Sequence, residues 1–149
     1  MLVYRIALTK YADKLFASGR AARWNPNETE VIYTASSRSL ACLENVVHRS
    51  QLGLNQLFSV MTIEIPDELK KDIVNHTELP HDWREFQQMP LTQAIGEKWI
   101  KGGKTATMQV PSAIIEEETN YLLNPKHPDF KKIKLLRTEM FVFDVRIKL

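Results

Sequence analysis

The sequence predicts an α+β protein in which a mixed or antiparallel β-sheet is accompanied by short helices. Five or six strand-like apolar runs and three or four helical patterns occur along the 149 residues. They do not alternate regularly, as they would in a parallel α/β fold. The chain is 44% hydrophobic and 26% charged, as an ordinary globular protein is. This length can bury a core without disulfides or metals, so we expect residues 1–149 to form one domain.

Composition argues against several classes of function. The net charge is only +2 and the basic residues are dispersed, so no nucleic-acid binding is indicated. Cys42 is the only cysteine, which rules out an internal disulfide or a zinc–cysteine cluster and fits a reducing cytoplasm. His76 and His81 have no ligand-like spacing, so we expect no metal site. Neither a signal peptide nor a membrane-spanning run is apparent, which predicts a cytoplasmic protein.

The first predicted strand runs from Leu2 to Leu8 and places Arg5 among apolar neighbours. Two explanations of this arginine remain open. It is either a charge on the face of an edge strand or an anion-binding group in a cleft.

A predicted helix beginning near Ser36 or Ser37 and running to about His48 follows a short strand, Val31 to Thr34. A serine hydroxyl suits the first position because it accepts a backbone N–H of the first turn. Gly53 lies just past the predicted end. The apolar arc of this helix is formed by residues at helical spacing: Leu40, Ala41, Leu43 and Val47. Glu44 falls inside the arc. A carboxylate there is costly unless it is paired, so Glu44 has either a structural arginine partner or a function.

Arg23, Tyr33 and Glu44 come from three consecutive elements with short connections, so their side chains can converge. An arginine binds phosphate or carboxylate in a planar fork, and a tyrosine offers a stacking face and a hydroxyl. A fixed carboxylate can stabilise an oxocarbenium ion or hold a ribose hydroxyl. This trio suits a ligand that combines phosphate, sugar and an aromatic ring.

The remaining pattern predicts further elements in order: a strand from Phe58 to Ile65, a short helix from Asp67 to Val74, a loop from Asn75 to Pro90, a helix from Leu91 to Lys101 with a core stripe of Leu91, Ile95 and Trp99, a strand from Thr105 to Val110, an acidic turn at Glu116–Glu118, a turn-rich segment from Asn120 to Pro128, and an alternating strand from Met140 to Ile147. Ser112 lies just past a strand end, a common place for a site residue. No Gly-x-Ser-x-Gly motif surrounds it, so a hydrolase nucleophile is not indicated.

Several short motifs, in this order and spacing, resemble the RES-domain family of toxins from bacterial RES–Xre toxin–antitoxin pairs. They are Arg5, Arg23-Trp24-Asn25, Tyr33-Thr34, Leu43-Glu44, His48, Leu79-Pro80, Trp83-Arg84, the Gln93 to Trp99 helix, Val110-Pro111-Ser112-Ala113, Asn120 to Pro125, His127-Pro128 and Phe143-Asp144-Val145-Arg146. Ala21-Ala22 stands where many members have Gly-Gly. The resemblance extends over almost the whole chain.

The resemblance implies a fold similar to ADP-ribosyltransferases, with a split, mixed β-sheet around a cleft that binds NAD. It implies an enzyme that depletes NAD by cleaving the nicotinamide–ribose bond with water or phosphate. The family residues carry over to Arg23, Tyr33 and Glu44 as catalytic groups. Arg5, Arg23, Tyr33 and Ser112 carry over as NAD contacts. NAD is then a substrate, and no separate cofactor is expected.

The same resemblance implies an Xre-type antitoxin that covers the cleft and a toxin that is dimeric within that complex. Two alternatives remain open. One is transfer of ADP-ribose to a host protein. The other is a non-catalytic interaction domain, in which Glu44 pairs with Arg5 or Arg23 in the core and Ser112 is a turn residue.

Overall fold

A computed structural model describes residues 1–48 and 56–147. In this part of the chain the strands and α-helices, in order, are β1 (Leu2–Leu8), β2 (Ile32–Ala35), α1 (Arg38–His48), β3 (Phe58–Glu64), β4 (Lys71–Ile73), α2 (Met89–Gly102), β5 (Thr107–Pro111), β6 (Thr119–Leu123) and β7 (Lys134–Phe141). Short 3-10 turns occur at Thr9–Tyr11, His76–Glu78, Phe86–Gln88 and Pro128–Lys132. No helix in these two ranges is long and apolar enough to cross a membrane.

The strands form one mixed sheet in the order β4-β5-β6-β2-β1-β3-β7. Among the described strands, β4 and β5 are parallel and every other neighbouring pair is antiparallel. β1 pairs with β3 along its whole length but with β2 only at Tyr4 and Ala35. The sheet therefore splits between β2 and β1, and the predicted split, mixed sheet is confirmed.

Buried side chains pack on both faces of this sheet. One cluster contains Val3, Ile32, Met61 and Ile63 with neighbours from the loops, and a second lies between α1 and the strands around Ile6 and Phe58. A third joins Trp24, Trp83 and Trp99 to Met108 and Leu122, so that α2 and the loops before β2 and α2 share one core. This third cluster supports the loop that carries Arg23.

The helix α1 begins as predicted. The Ser37 hydroxyl accepts the backbone N–H of Leu40 at 3.0 Å, which caps the first turn. The buried face is narrower than the predicted arc, because Leu40 and Ala41 are buried whereas Leu43 and Val47 are exposed. Gly53, predicted to follow the helix, lies outside the described residues.

The predicted helix from Asp67 to Val74 is wrong. Pro66 to Leu69 form a turn, in which the Leu69 N–H reaches the Pro66 carbonyl, and Lys71–Ile73 is a strand parallel to β5. Eight residues are too few for a helix to be stable without packing, whereas the backbone of this segment finds a partner in β5.

Two predictions near the end of the chain are also wrong. The segment predicted as turn-rich, Asn120 to Pro128, begins inside β6, where Leu122 and Leu123 are completely buried between β5 and β2. The last strand is β7 at Lys134–Phe141 and not Met140 to Ile147. Its partner β3 begins at Phe58 opposite Phe141, so no strand remains for the later residues to pair with.

The other elements lie close to their predicted positions. α2 extends the predicted helix to Met89–Gly102. The residue after it, Gly103, caps the helix with a positive φ of 59°. Of the predicted core stripe, Trp99 is buried, Ile95 packs beside it, and Leu91 is exposed. The predicted loop is irregular over residues 75–88 apart from two 3-10 turns, whereas its last two residues, Met89 and Pro90, belong to α2. Glu116–Glu118 is a turn, as predicted.

Candidate active site

The residues predicted to form the site come from elements around the split in the sheet. Arg5 is on β1, Tyr33 on β2 and Glu44 on α1. Arg23 is on the loop before β2, and Ser112 directly follows β5. Hydrogen bonds connect these residues in two groups, Arg5 with Tyr33 and Glu44 with Ser112. Electrostatic interactions of Arg23 and Tyr33 with Glu44 join the groups.

Arg5 bridges the split. Its Nη1 donates to the Tyr33 carbonyl at 2.9 Å, where the backbone ladder between β1 and β2 is interrupted. Because β1 lies between β2 and β3, the explanation of Arg5 as an edge-strand charge is excluded. Burial lowers the pKa of the Arg5 guanidinium, and the nearby Tyr33 partly opposes that shift. An arginine side chain thus replaces a missing backbone donor at this point.

The Tyr33 hydroxyl organises the loop before β2. It donates to the Asn25 Oδ1 at 2.6 Å and accepts the backbone N–H of Trp24 at 3.0 Å. Burial raises the pKa of Tyr33 well above its usual range, although the Trp24 hydrogen bond and the charges of Arg23 and Arg5 act in the other direction. Tyr33 therefore stays a neutral phenol and holds the segment that carries Arg23.

Asn25 stabilises the same loop through hydrogen bonds to its backbone. It is almost completely buried, and its Nδ2 lies within hydrogen-bond distance of the carbonyls of Arg20, Pro26 and Thr29. An asparagine before a proline is a usual turn former. Asn25 belongs to the Arg23-Trp24-Asn25 motif but was not predicted as a site residue, and the Asn-Pro pair is the sequence signal that could have revealed its role in the turn.

Arg23 is half-buried beside the Trp83 loop. Its Nη1 lies 3.4 Å from the Trp83 carbonyl, a contact that the sequence did not predict. Burial lowers the pKa of this guanidinium, and Tyr33, Glu44 and Glu85 favour its charged form. The opposite charges of Arg23 and Glu44 thus interact across the site.

Glu44 is held at both carboxylate oxygens. Ser112 Oγ lies 3.1 Å from Oε1, and His48 Nε2, one turn further along α1, lies 3.4 Å from Oε2. The Glu44 side chain retains 24% of its exposure. This carboxylate is oriented by its neighbours and still accessible to a ligand.

Ser112 is completely buried. Its oxygen accepts the backbone N–H groups of Ile114 and Ile115 at 3.0 and 3.1 Å while its hydroxyl reaches Glu44. In this arrangement the Ser112 hydroxyl orients Glu44 and stabilises the turn. Direct contact between Ser112 and a substrate stays a prediction.

The chemistry available is that of a fixed carboxylate, a nearby guanidinium and a neutral phenol. In the described residues, no group of three His, Cys, Asp or Glu side chains is placed to hold a metal ion. An anionic group next to a cationic one suits a ligand that carries phosphate at one end and develops positive charge at the other.

Comparison with known proteins identifies the family of this chain. The model of the RES domain matches residues 2–144, nearly the whole chain. This chain belongs to the RES domain family. The RES domain resembles the Prs ADP-ribosylating toxin of Sphingobium sp. (strain YBL2), with 38% identity over 95% of this chain and 91% of that protein. It also resembles Toxin Res of Yersinia enterocolitica, with 32% identity over 99% of this chain and 100% of that protein.

The RES domain also has a relative among solved structures. The crystal structure of the MbcT–MbcA toxin–antitoxin complex of M. tuberculosis contains a chain with the same fold, at a TM-score of 0.76. The match covers 94% of this chain and 83% of that one at 18% identity. At that identity the likeness concerns the fold.

Proposed function

We propose that this RES domain is the toxin of a toxin–antitoxin pair and that it cleaves the bond between nicotinamide and ribose in NAD. The observation that carries the proposal is the Glu44 carboxylate, fixed by Ser112 and accessible beside Arg23. The relatives that are named toxins match this chain over nearly its full length. Toxicity would then follow from loss of cellular NAD.

The reaction needs few groups. As the glycosidic bond breaks, its electron pair goes to the pyridinium nitrogen, nicotinamide leaves uncharged, and positive charge develops on the ribose. No general acid is required. Glu44 stabilises the oxocarbenium ion from the accessible side of α1, which is the electrostatic role that such a fixed charge performs best. Water then gives ADP-ribose and a proton, and inorganic phosphate gives ADP-ribose 1-phosphate.

The other site residues bind NAD or orient the residues that contact it. Arg23 pairs with the diphosphate, since its guanidinium is partly exposed and interacts electrostatically with Glu44. The Tyr33 ring stacks on nicotinamide while its hydroxyl holds the Arg23 loop. Arg5 and Ser112 act mainly through Tyr33 and Glu44, which their polar atoms contact.

Transfer of ADP-ribose to a host protein is the second candidate. It is favoured by the name of the Sphingobium relative, a Prs ADP-ribosylating toxin, which is 38% identical to this chain. The same carboxylate would stabilise the same cation, and a side chain of the target would replace water as the acceptor.

The partner we propose is an antitoxin of the Xre type that covers the cleft in the cytoplasm, with the toxin as a homodimer in the complex. The structural relative from a toxin–antitoxin complex supports the pairing.

The deciding experiment is release of nicotinamide from NAD by purified protein, with and without inorganic phosphate. Release without phosphate identifies a glycohydrolase, and release that requires phosphate identifies a phosphorylase. We expect folded Glu44→Gln protein to lose about 10²- to 10³-fold in rate, as loss of a preorganised electrostatic group typically does.

Glu97→Gln is the matched control, because Glu97 also has a basic side chain four residues later on its helix, Lys101 at 2.8 Å. Its rate should equal that of the wild type. Normal turnover in folded Glu44→Gln protein would refute the role of Glu44. Another outcome is release of nicotinamide by the folded wild type only when a host-cell extract is present, with labelled ADP-ribose then appearing on a protein. That result would identify the RES domain as a transferase of ADP-ribose to a host protein. No release and no labelling would leave the non-catalytic interaction domain.

A further inference from the structure

The helix α2 contacts the Arg23 loop through a face that was not part of its predicted core stripe. Thr92 is completely buried, and its hydroxyl lies 2.5 Å from the Arg23 carbonyl. The Met89 carbonyl of its own helix is further away, at 3.2 Å. One residue along, Gln93 Nε2 donates to the Ala22 carbonyl at 2.9 Å. Two consecutive carbonyls of the loop are therefore bound by α2.

Gly96 allows the loop to approach this closely. A Cβ atom at this position would lie 1.6 Å from the Trp24 carbonyl oxygen and 2.8 Å from its carbonyl carbon. Any side chain here would displace the loop backbone. Three consecutive loop residues, 22–24, thus rest on helix positions 92, 93 and 96, which share one side of α2.

The opposite side of the same loop is also held. The Trp24 N–H donates to the Tyr33 hydroxyl at 3.0 Å, and the Arg23 side chain reaches the Trp83 carbonyl. The backbone of Arg23 is therefore fixed between α2 and β2. A backbone fixed in this way limits the positions that the guanidinium can take.

We propose that Thr92, Gln93 and Gly96 form a seat that positions Arg23 and thereby sets the affinity of this protein for the diphosphate of NAD. These are positioning residues, since they contact the loop backbone. The inference rests on the proposed function, in which Arg23 binds the diphosphate. The diphosphate is remote from the bond that breaks, so its interaction stabilises ground state and transition state alike. Loss of such uniform binding raises KM and leaves kcat unchanged.

The test compares Thr92→Val with Thr92→Ser. Valine keeps the shape of the buried Thr92 side chain but leaves the Arg23 carbonyl without its donor, and serine restores the hydroxyl. We expect KM for NAD to rise about three- to tenfold in Thr92→Val, as loss of one buried hydrogen bond allows. We expect kcat within about twofold of the wild type and recovery of KM in Thr92→Ser. Gln93→Met, which keeps length and removes the donor, gives an independent variant if Thr92→Val does not fold.

Thr138→Val is the matched control, because the Thr138 hydroxyl also donates to the backbone carbonyl of a distant segment, Ala12 at 2.8 Å, but on β7. It should change neither kinetic constant. A second readout does not depend on NAD turnover. Hydrogen exchange of backbone amides in residues 20–25 should accelerate in Thr92→Val and Gln93→Met and stay unchanged in Thr138→Val.

These two readouts separate failure of the seat from failure of the proposed function. If hydrogen exchange in residues 20–25 is unchanged in folded Thr92→Val and Gln93→Met, these residues do not position the Arg23 loop. This conclusion holds whether or not the wild type is active. A fall in kcat at constant KM overturns the claim that the seat sets affinity. If the wild type releases no nicotinamide, the proposed function fails, and faster exchange in both variants still supports the positioning of Arg23 by α2.

Discussion

The Ser112 hydroxyl lies 3.1 Å from the Glu44 carboxylate and joins α1 to the turn that follows β5. Its oxygen also accepts two backbone N–H groups of that turn, from Ile114 and Ile115. With its lone pairs used in this way, the hydroxyl hydrogen is directed at Glu44. One buried serine thus fixes both the shape of a loop and the orientation of the carboxylate.

Ser112→Ala should lower both stability and activity. Two partly buried N–H groups, of Ile114 and Ile115, would lose their acceptor, which typically costs about 1–3 kcal/mol of unfolding free energy. The Glu44 carboxylate would lose its donor and move, and NAD turnover should fall about 10- to 100-fold, as misplacement of a reacting group does. Urea unfolding and nicotinamide release measure the two effects.

Ser59→Ala is the control for this change, since Ser59 is buried in β3 and pairs its hydroxyl with that of Thr9 at 2.9 Å. It should cost stability without a loss of turnover. Full turnover in folded Ser112→Ala protein would mean that Glu44 needs no orientation by this serine.

Tyr33→Phe should destabilise the protein by about 1–3 kcal/mol, because Asn25 Oδ1 loses its donor and the Trp24 N–H loses its acceptor. Chemical denaturation measures this change. Tyr11→Phe should have almost no effect, since the Tyr11 side chain is half exposed and stacks on Phe16. Equal stability of the two variants would contradict the structural role of the Tyr33 hydroxyl.

The raised pKa of Tyr33 predicts a loss of stability in alkali. The folded state favours the neutral phenol, whereas the unfolded chain releases this proton near its ordinary pKa of 10.0. The contribution of Tyr33 is therefore complete below about pH 10 and decreases as the pH rises from there towards the folded-state value. Unfolding free energy measured across this range should fall less steeply in Tyr33→Phe than in the wild type. Parallel curves of unfolding free energy against pH for the two proteins would contradict the raised pKa of Tyr33.

Gly96→Ala should be among the most damaging small substitutions in α2. The added methyl would overlap the Trp24 carbonyl, so the loop must move, at a cost of about 3 kcal/mol or more. Gly102→Ala on the same helix has no heavy atom within 4 Å of the new Cβ, and alanine favours helix by about 0.5–1 kcal/mol. The melting temperature should therefore fall in Gly96→Ala and rise in Gly102→Ala. Equal shifts would show that the loop does not rest on Gly96.

Local patterns were enough for the elements that carry the predicted site. The Ser37 cap and the apolar spacing of α1, the alternation of β1 and the apolar run of β3 all predicted their elements within one or two residues. These signals are local because a cap or a helical face depends on residues only a few positions apart. Thus Arg23, Tyr33 and Glu44 could be assigned to neighbouring elements before any fold was known.

Segments whose structure depends on a distant partner were predicted wrongly. Lys71–Ile73 is a strand because β5 lies beside it, and Thr119–Leu123 is a strand because β5 and β2 flank it on both sides. The alternation from Met140 onwards is not a strand after Phe141, since β3 offers no further residues to pair with. Strand formation needs hydrogen-bond partners far away in sequence, which a pattern along one segment does not reveal.

The sequence by itself determined the mixed α+β class, the residue types of the candidate site and the elements that carry them. Only the tertiary structure decided that Arg5 bridges the split in the sheet, that Ser112 faces Glu44 and that α2 supports the Arg23 loop. The sequence separation in these contacts is 28, 68 and 69 residues. Such contacts form because packing of the whole sheet and its helices brings the groups together, and no local preference encodes them.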